Sequence, residues 1–302
     1  KVTFDSSTLW PEQLPKGFNP KAILDNKRIS YGFHEVHKRG ITGKGVLIAV
    51  IDHPSIMDHI EIKDNIKEYI ILDENYNDSH FHGFAVLSHL CGKRIGIAPD
   101  VEVIFYGGQP YGDGPEEEVN NQIISFGIRC LQDIKKKIIG GQPIRVVNMS
   151  NSWLNYGSAE LKQKAANLVS KLEALGCTVI DSPKFFESFR YLDCKADKDS
   201  ENIDNYYLPP FFRKDVKDRM NFLSGGKLTA AYLTQDEYIF KPFGSASYTI
   251  PQLVGFYALG LQLDPQLTFD EFVAYCQENA LVNIDGAKIV NPMQTLKAIN
   301  DK

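Results

Sequence analysis

The sequence predicts an α/β fold: one domain built on a doubly wound, mainly parallel sheet with helices on both faces. Three observations predict it. Continuous apolar runs rich in β-branched residues recur along the chain, as expected for strands that are buried on both faces. Stretches with helical periodicity alternate with these runs. The 302 residues are 43% hydrophobic and 24% charged, which excludes a disordered or fibrous chain.

The elements follow in order along the chain. A short helix over 31–39 is expected to end at Gly40, a typical residue just after a helix. The main strands are expected at 46–51, 101–106, 144–149 and 177–180, with helices at 82–90, 116–139 and 159–175. Three further helices, at 247–261, 268–278 and 292–299, are expected to close the chain.

Two segments depart from this alternation. Residues 1–30 contain three prolines and little periodicity, so they are expected to form an extended lead-in before a domain spanning 31–302. Residues 185–222 are charged and aromatic, and we expect them to form a surface insertion of the same domain.

Composition limits the partners. The formal net charge is −5, from 33 Lys and Arg against 38 Asp and Glu, which gives no general attraction to nucleic acid. Apolar runs are shorter than the roughly 18 residues that a membrane span needs.

The five cysteines include no CxxC pair, so we expect reduced core thiols. The compartment stays open between secreted after processing and cytoplasmic, and the oligomeric state is unknown.

Three polar residues stand at predicted element boundaries. Asp52 follows the first strand, where sites form in parallel sheets. His82 precedes Gly83 at the start of an apolar helix, and Ser247 precedes another long apolar helix. Each one alone is also typical of a turn, cap or core residue. Their order along the chain, Asp, His and then Ser, is one of the known orders of the serine-hydrolase triad.

Longer motifs around these residues resemble the subtilisin-like serine peptidases (subtilases). Ile41-Thr42-Gly43-Lys44-Gly45-Val46 through Asp52 is similar to the family's Asp motif, and His82-Gly83 to its His motif. Gly96-Ile97-Ala98-Pro99, Val146-Val147-Asn148-Met149-Ser150 and Ser245-Ala246-Ser247-Tyr248-Thr249-Ile250-Pro251 are similar to three further family motifs. The resemblance covers about Tyr31 to Ile299.

The resemblance implies a serine endopeptidase that acts through an acyl-enzyme intermediate. Ser247 would be the nucleophile, His82 the general base and then the acid, and Asp52 the residue that orients His82. Ser245 stands where the family has glycine, and we expect a backbone role for it. A peptide or protein substrate is implied, and a propeptide is compatible with the family.

The segment that should supply an oxyanion-hole Asn departs from the family. It reads Val179-Ile180-Asp181-Ser182-Pro183-Lys184-Phe185-Phe186 and holds no Asn. Ser182 and Lys184 are the candidate donors instead. Loss of one such donor costs about 10²–10³ in rate, a magnitude measured on subtilisin itself. The alternative is therefore a catalytically weakened or silent subtilase fold that binds a peptide or protein partner.

The candidate substrate-binding residues lie in two segments. A substrate backbone is expected to pair with the end of the 144–149 strand, and Trp153 is expected to reshape the pocket there. Gly107 and Gly108 are interpreted as loop glycines near the cleft. The full set is Ser150, Asn151, Ser152, Trp153, Gly107 and Gly108.

No cofactor and no metal site is predicted. Calcium stays an open alternative, but the segment after His82 is short and does not support the calcium loop found there in many subtilases. Two acidic groups, Asp73-Glu74 and Glu116-Glu117-Glu118, are interpreted as solvated surface. A metal hydrolase is a rival because possible ligands are dense, although they lack HExxH spacing; they are Asp52, His53, His59, His80, His82 and His89. Apart from Asp52 and His82, we interpret them as surface or helix-packing residues.

Overall fold

The computed structural model describes most of the chain. It covers residues 2–14, 32–72, 80–108, 114–195, 198–199, 202–210, 219–223, 229–231, 234–240 and 245–302. Outside these ranges lie much of the predicted lead-in (15–31), the acidic pair Asp73-Glu74 and residue Gly244. Parts of the predicted insertion (196–197, 200–201 and 211–218) also lie outside the described residues.

The described elements run in this chain order: β1 (Val2–Phe4), α1 (Phe33–Lys38), β2 (Leu47–Asp52), β3 (Ile66–Ile71), α2 (Phe81–Cys91), β4 (Glu102–Gly107), α3 (Glu116–Ile139), β5 (Ile144–Asn148), α4 (Ala159–Ala174), β6 (Thr178–Ile180), α5 (Ser182–Ser188), β7 (Phe189–Cys194), β8 (Tyr206–Tyr207), β9 (Met220–Leu223), β10 (Thr229–Ala231), β11 (Tyr238–Phe240), α6 (Ala246–Leu263), α7 (Phe269–Glu278), β12 (Leu281–Val282), β13 (Lys288–Ile289) and α8 (Pro292–Asn300).

The main sheet has the strand order β3-β4-β2-β5-β6, and every pair in it is parallel. β2 is the central strand, and all six of its residues are buried. Parallel sheets of this kind are covered on both faces, which explains why β2 reads as a continuous apolar run. The predicted fold class, α/β with a doubly wound parallel sheet, is confirmed.

Successive residues of β2 face opposite cores. Ile48 and Val50 belong to the core that includes residues of α2 and α6, whereas Leu47, Ala49 and Ile51 belong to the core formed with α3 and α4. This alternation follows from the two-residue period of a strand. The carboxyl end of β2 therefore emerges between two packed helical layers, and Asp52 is its last residue.

α2 and α6 are buried helices that lie side by side, and a glycine allows their close approach. A β-carbon at Gly255 of α6 would lie 2.9 Å from Cβ of Ile97, which follows α2. Burial is nearly continuous from Gly83 to Cys91 in α2 and from Thr249 to Leu261 in α6. These two helices carry His82 and Ser247 at their amino-terminal ends, so their packing brings those ends to one side of the molecule.

The structure corrects the prediction that residues 185–222 form a surface insertion. Within the described residues, the segment begins in α5 and contains the strands β7 and β9, which pair in parallel within a second sheet, ordered β12-β13-β9-β7-β8. Phe189 and Phe222 are fully buried there. Phe189 and Phe222 are therefore core residues of this second sheet and not parts of an irregular excursion.

A small antiparallel sheet, ordered β1-β11-β10, joins the first strand of the chain to strands within residues 229–240. A buried carboxylate anchors it. Glu61 accepts hydrogen bonds from the Tyr238 hydroxyl at 2.6 Å, from Arg94 Nε at 2.9 Å and from the Arg94 backbone N–H at 2.7 Å. These bonds connect β11 to the loop before β3 and to the turn after α2.

All five cysteines are buried, and no disulfide joins any two of them; their reduced state stays a prediction. Burial raises the pKa of each of Cys91, Cys130, Cys177 and Cys276, so these thiols are protonated and act as small apolar groups. Among the described residues, no helix is both long and apolar enough to cross a membrane.

Candidate active site

Asp52 and His82 form a hydrogen-bonded pair at the carboxyl end of the central strand. Nδ1 of His82 lies 2.7 Å from Oδ1 of Asp52. Asp52 is fully buried, while the His82 side chain is 18% exposed. An imidazole whose Nδ1 is held by a carboxylate presents Nε2 on its other side, which is the arrangement that a general base requires.

The start of α2 fixes this pair in place. His80 caps the helix, with its Nδ1 accepting a hydrogen bond from the His82 backbone N–H at 3.2 Å. Gly83 lies directly against β2, because a β-carbon at that position would collide with the carbonyl oxygen of His53. The position after His82 therefore requires glycine for a steric reason. The missing side chain lets the helix approach the strand closely enough for His82 to reach Asp52.

Asp52 is held as a carboxylate despite its burial. Burial alone would raise its pKa, but the neighbouring His82 charge and hydrogen bond outweigh that effect. The His53 backbone N–H, which donates to Oδ1 at 2.7 Å, acts in the same direction. The net result is a pKa below the ordinary value for Asp52, so the group that orients His82 is ionised at neutral pH.

Two further histidines, His53 and His80, lie next to the Asp52–His82 pair. The ring centroids of His53 and His80 are 4.4 Å apart, and the His53 ring lies 5.5 Å from the His82 ring. Burial lowers the pKa of His53 to about 4, and the charges of His82 and His80 add to the shift against the opposing charge of Asp52. His53 is therefore neutral at pH 7.

Ser247 lies in the first turn of α6 and is half-buried. The next residue, Tyr248, places its ring 6.1 Å from the His82 ring. The structure thus brings the beginning of α6 beside His82. Ser245 precedes the helix, and its carbonyl oxygen accepts the backbone N–H groups of Tyr248 and Thr249. The roles of Ser247 as nucleophile and of Ser245 as a backbone residue stay predictions.

The two candidate oxyanion donors lie in different places. The Ser182 backbone N–H donates to the carbonyl of Asn151 at 3.1 Å, so Ser182 sits beside the segment that leaves β5. The Lys184 side chain instead lines a cleft of about 310 Å³ with Arg145 and Thr178. Those two residues lie at the amino ends of β5 and β6, the opposite edge of the sheet from Asp52. This placement argues against Lys184 as an oxyanion donor.

The segment after β5 is more buried than expected for a substrate-binding strand. Ser150 is buried and accepts a hydrogen bond from Nδ2 of Asn148 at 3.1 Å. Asn151 and Ser152 are half-buried, and Oδ1 of Asn151 accepts the Trp153 backbone N–H at 3.0 Å. These two residues keep the accessible positions, and their contact with substrate stays a prediction.

Trp153 has a different environment from the expected one. Its side chain is 1% exposed and makes edge contacts with the rings of His53 at 5.4 Å and Phe126 at 5.7 Å. The Trp153 indole was expected to reshape an open pocket, but it is buried and does not line one. The indole packs against the His53 ring instead.

Gly107 and Gly108 lie beside Asp52, and Gly107 is the last residue of β4 and not the loop glycine that was expected. Gly107 is the register partner of Asp52, and the Gly108 backbone N–H donates to the Asp52 carbonyl at 3.0 Å. A β-carbon at Gly107 would lie 2.8 Å from the Tyr69 ring, and one at Gly108 would collide with Phe126. Packing explains both glycines, and a direct substrate contact for them stays a prediction.

The sequence motifs gave no active-site position to His53, His80 or Tyr248. His53 and His80 were interpreted as surface or helix-packing residues, yet both rings lie against the Asp52–His82 pair. Their signal was present in the sequence, because one directly follows Asp52 and the other precedes His82 by two positions. Tyr248 directly follows Ser247, where the subtilase motif has Met.

The same region is the cluster of potential metal ligands among the described residues. One ligand atom each from Asp52, His53 and His82 lies within 4.8 Å of the others. His59 and His89 are separate: both are buried, and His59 contacts the Glu237 carbonyl at 3.1 Å.

Part of the chain is similar in sequence to a known protein family. Residues 43–180 match the model of the subtilase family, a range that includes Asp52 and His82 and ends before Ser247. The predicted resemblance to the subtilisin-like serine peptidases is confirmed. This match covers less than half of the chain, and over that part the chain is similar to the serine proteases of the subtilase family. The sequence has no significant match among curated proteins.

Several solved structures share the fold. The PatG macrocyclase domain matches with a TM-score of 0.58 and 12% identity, covering 90% of this chain and 95% of that one. The prenylagaramide maturation protease PagA matches with 0.58 and 14%, covering 90% and 99%. Fervidolysin from Fervidobacterium pennivorans, described as a keratinolytic enzyme related to subtilisin, matches with 0.60 and 12%. That alignment covers 86% of this chain and 43% of fervidolysin.

Proposed function

We propose that this protein is a serine endopeptidase that cleaves peptide bonds through Asp52, His82 and Ser247. The observation that carries the proposal is the 2.7 Å hydrogen bond between the buried Asp52 carboxylate and His82. In the proposed reaction, His82 takes the proton of the Ser247 hydroxyl as that oxygen attacks the substrate carbonyl. It then gives the proton to the leaving amine, and water hydrolyses the acyl-enzyme.

The charge states support this sequence of steps. Asp52 stays ionised, and its carboxylate stabilises the imidazolium form that His82 adopts after it takes the proton. The neighbouring His53 stays neutral at pH 7, so it adds no positive charge that would oppose protonation of His82. The backbone N–H of Ser247, in the first turn of α6, would be one donor to the developing oxyanion.

Cleavage of a random peptide library, followed by mass spectrometry, tests the proposal. We expect cleavage inside peptides by the wild-type protein and only background cleavage by the Ser247→Ala variant. Ser245→Ala is the matched control, because it removes a hydroxyl two residues away that makes no capping hydrogen bond. Equal cleavage by wild type and Ser247→Ala would refute the assignment.

The alternative is a silent subtilase fold that binds a peptide or protein partner. The observation that favours it is the segment after β6, which holds no Asn and directs Lys184 toward the other edge of the sheet. Saturable peptide binding without cleavage, in a folded wild-type protein, is the result that this alternative predicts.

A further inference from the structure

The cluster around His82 contains more ligating groups than a serine-peptidase triad uses. Asp52, His53 and His82 bring a carboxylate and two imidazoles within 4.8 Å of one another. The His80 ring adjoins this group, 4.4 Å from His53. A triad needs one carboxylate and one imidazole, so neither His53 nor His80 is explained by the proposed mechanism.

A second observation points to a cation as the ligand of this cluster. Both hydrogen bonds made to the Asp52 carboxylate, from His82 and from the His53 backbone, go to Oδ1. Oδ2 is buried and has no hydrogen-bond partner among the described residues. A buried carboxylate oxygen without a partner is costly, because it loses hydration and gains nothing in return.

We propose that Asp52, His53 and His82 form a binding site for a divalent transition-metal ion such as Zn²⁺, and that the bound ion reversibly inactivates the peptidase. The binding part stands on the geometry alone. The inhibitory part rests on the proposed function, because it requires His82 to be the general base.

The ligand chemistry selects the type of ion. Imidazole nitrogens with one carboxylate suit Zn²⁺, Cu²⁺ and Ni²⁺, whereas Ca²⁺ takes six to eight oxygen ligands. Tetrahedral zinc with bonds of about 2.0–2.1 Å places its ligand atoms about 3.4 Å apart. The ligand atoms must therefore approach by roughly 1.4 Å at most, through side-chain rotation. The exposed part of His82 provides the entry path.

Inhibition follows from competition for the same electron pairs. A metal ion that binds the His82 imidazole either takes the lone pair that accepts the Ser247 proton or displaces the Asp52 hydrogen bond that orients the ring. Both changes remove the general base. A chelator that removes the ion restores the pair, so the inhibition is reversible.

Titration of the Ser247→Ala variant with zinc alone, followed by calorimetry, tests the binding part without any dependence on activity. We expect one zinc ion per chain, and Ca²⁺ should give no binding at the same concentrations. Adding His53→Gln should weaken zinc binding at least tenfold. His34→Gln is the matched control, because it removes a partly exposed histidine of α1, and it should leave the zinc affinity unchanged. An unchanged affinity in the His53→Gln variant would overturn the proposal.

Two further measurements cover the remaining outcomes. If His53→Gln does not fold, the visible spectrum of Co²⁺ added to the Ser247→Ala protein decides: intense four-coordinate bands support the site, and the weak spectrum of hydrated cobalt refutes it. For the inhibitory part, zinc should slow fluorophosphonate labelling of the wild type at least tenfold, and a chelator should reverse the effect. Labelling that is insensitive to bound zinc would refute inhibition. A wild type that is never labelled would refute the proposed function and leave the zinc titration standing.

Discussion

His53 lies beside the candidate active site and is expected to make the stability of the protein depend on pH. Its ring lies between His80 and the Trp153 indole, and burial lowers its pKa to about 4 from an ordinary value of 6.5. The unfolded chain therefore binds a proton at this residue between about pH 6.5 and 4, whereas the folded protein does not. Stability from His53 is complete above this range and is lost as the pH falls through it.

The loss of stability expected from protonation of His53 is large enough to measure. Between pH 7.5 and pH 5, this one residue should lower the free energy of unfolding by about 2 kcal/mol. Urea denaturation at the two pH values, with a chelator present, gives the difference. The His53→Gln variant should lose about 2 kcal/mol less than the wild type over this interval, while His34→Gln should follow the wild type. An identical pH dependence in all three proteins would contradict the burial of His53.

At the scale of elements, the site depends on how closely α2 approaches β2. Gly83 is the contact point, since any side chain there collides with the carbonyl of His53. We expect Gly83→Ala to destabilise the protein by about 1–3 kcal/mol and to abolish peptidase activity, because His82 moves away from Asp52.

Gly127→Ala is the matched control for that variant. Gly127 lies inside α3, and the nearest atom to an added β-carbon is Cδ2 of Leu154, the mobile end of a side chain, at 2.9 Å. We expect this variant to keep wild-type activity. Denaturation and peptide cleavage measure both variants, and a fully active Gly83→Ala protein would show that the close approach is unnecessary.

The elements also show what the sequence could and could not predict. β2, β4 and β5 were predictable because strands buried on both faces are continuously apolar, and α6 because it is apolar all round. β3 was missed because its residues are mostly half-buried and include Lys67 and Glu68. β7 and β9 were missed because their burial depends on a second sheet assembled from distant segments, which local periodicity does not reveal.

The same limit applies to the site. Asp52, His82 and Ser247 could be chosen from their chain order and flanking motifs, which are local properties. The direction of the Trp153 indole depends on the turn that follows β5 and on contacts with His53 and Phe126. The cluster formed by His53 and His80 likewise appears only when β2 and α2 are brought together.

At the scale of the whole molecule, the small sheet β1-β11-β10 is tied to the main body through Glu61. Ile239 of β11 packs with Ala85 and Tyr248 beside the site, so the anchoring of this sheet bears on the site's environment. Removing the Arg94 side chain leaves the buried Glu61 carboxylate without its cationic partner. We expect Arg94→Ala to lower the free energy of unfolding by about 3–5 kcal/mol.

Lys67→Ala is the control for a charge that is exposed. Lys67 pairs with Glu102 at 2.7 Å, and both side chains are about half exposed. Such pairs contribute between about 0 and 1 kcal/mol, so urea denaturation should barely distinguish this variant from the wild type. Equal losses in the two variants would show that the Glu61 network does not anchor the sheet.

The central claim is that Asp52 and His82 activate Ser247, and site-mapped labelling with a fluorophosphonate probe tests it most directly. Mass spectrometry should find the label on Ser247 in the wild type and in Ser245→Ala, and none in Ser247→Ala. A folded wild-type protein that takes no label, or a label that persists in Ser247→Ala, would contradict the account.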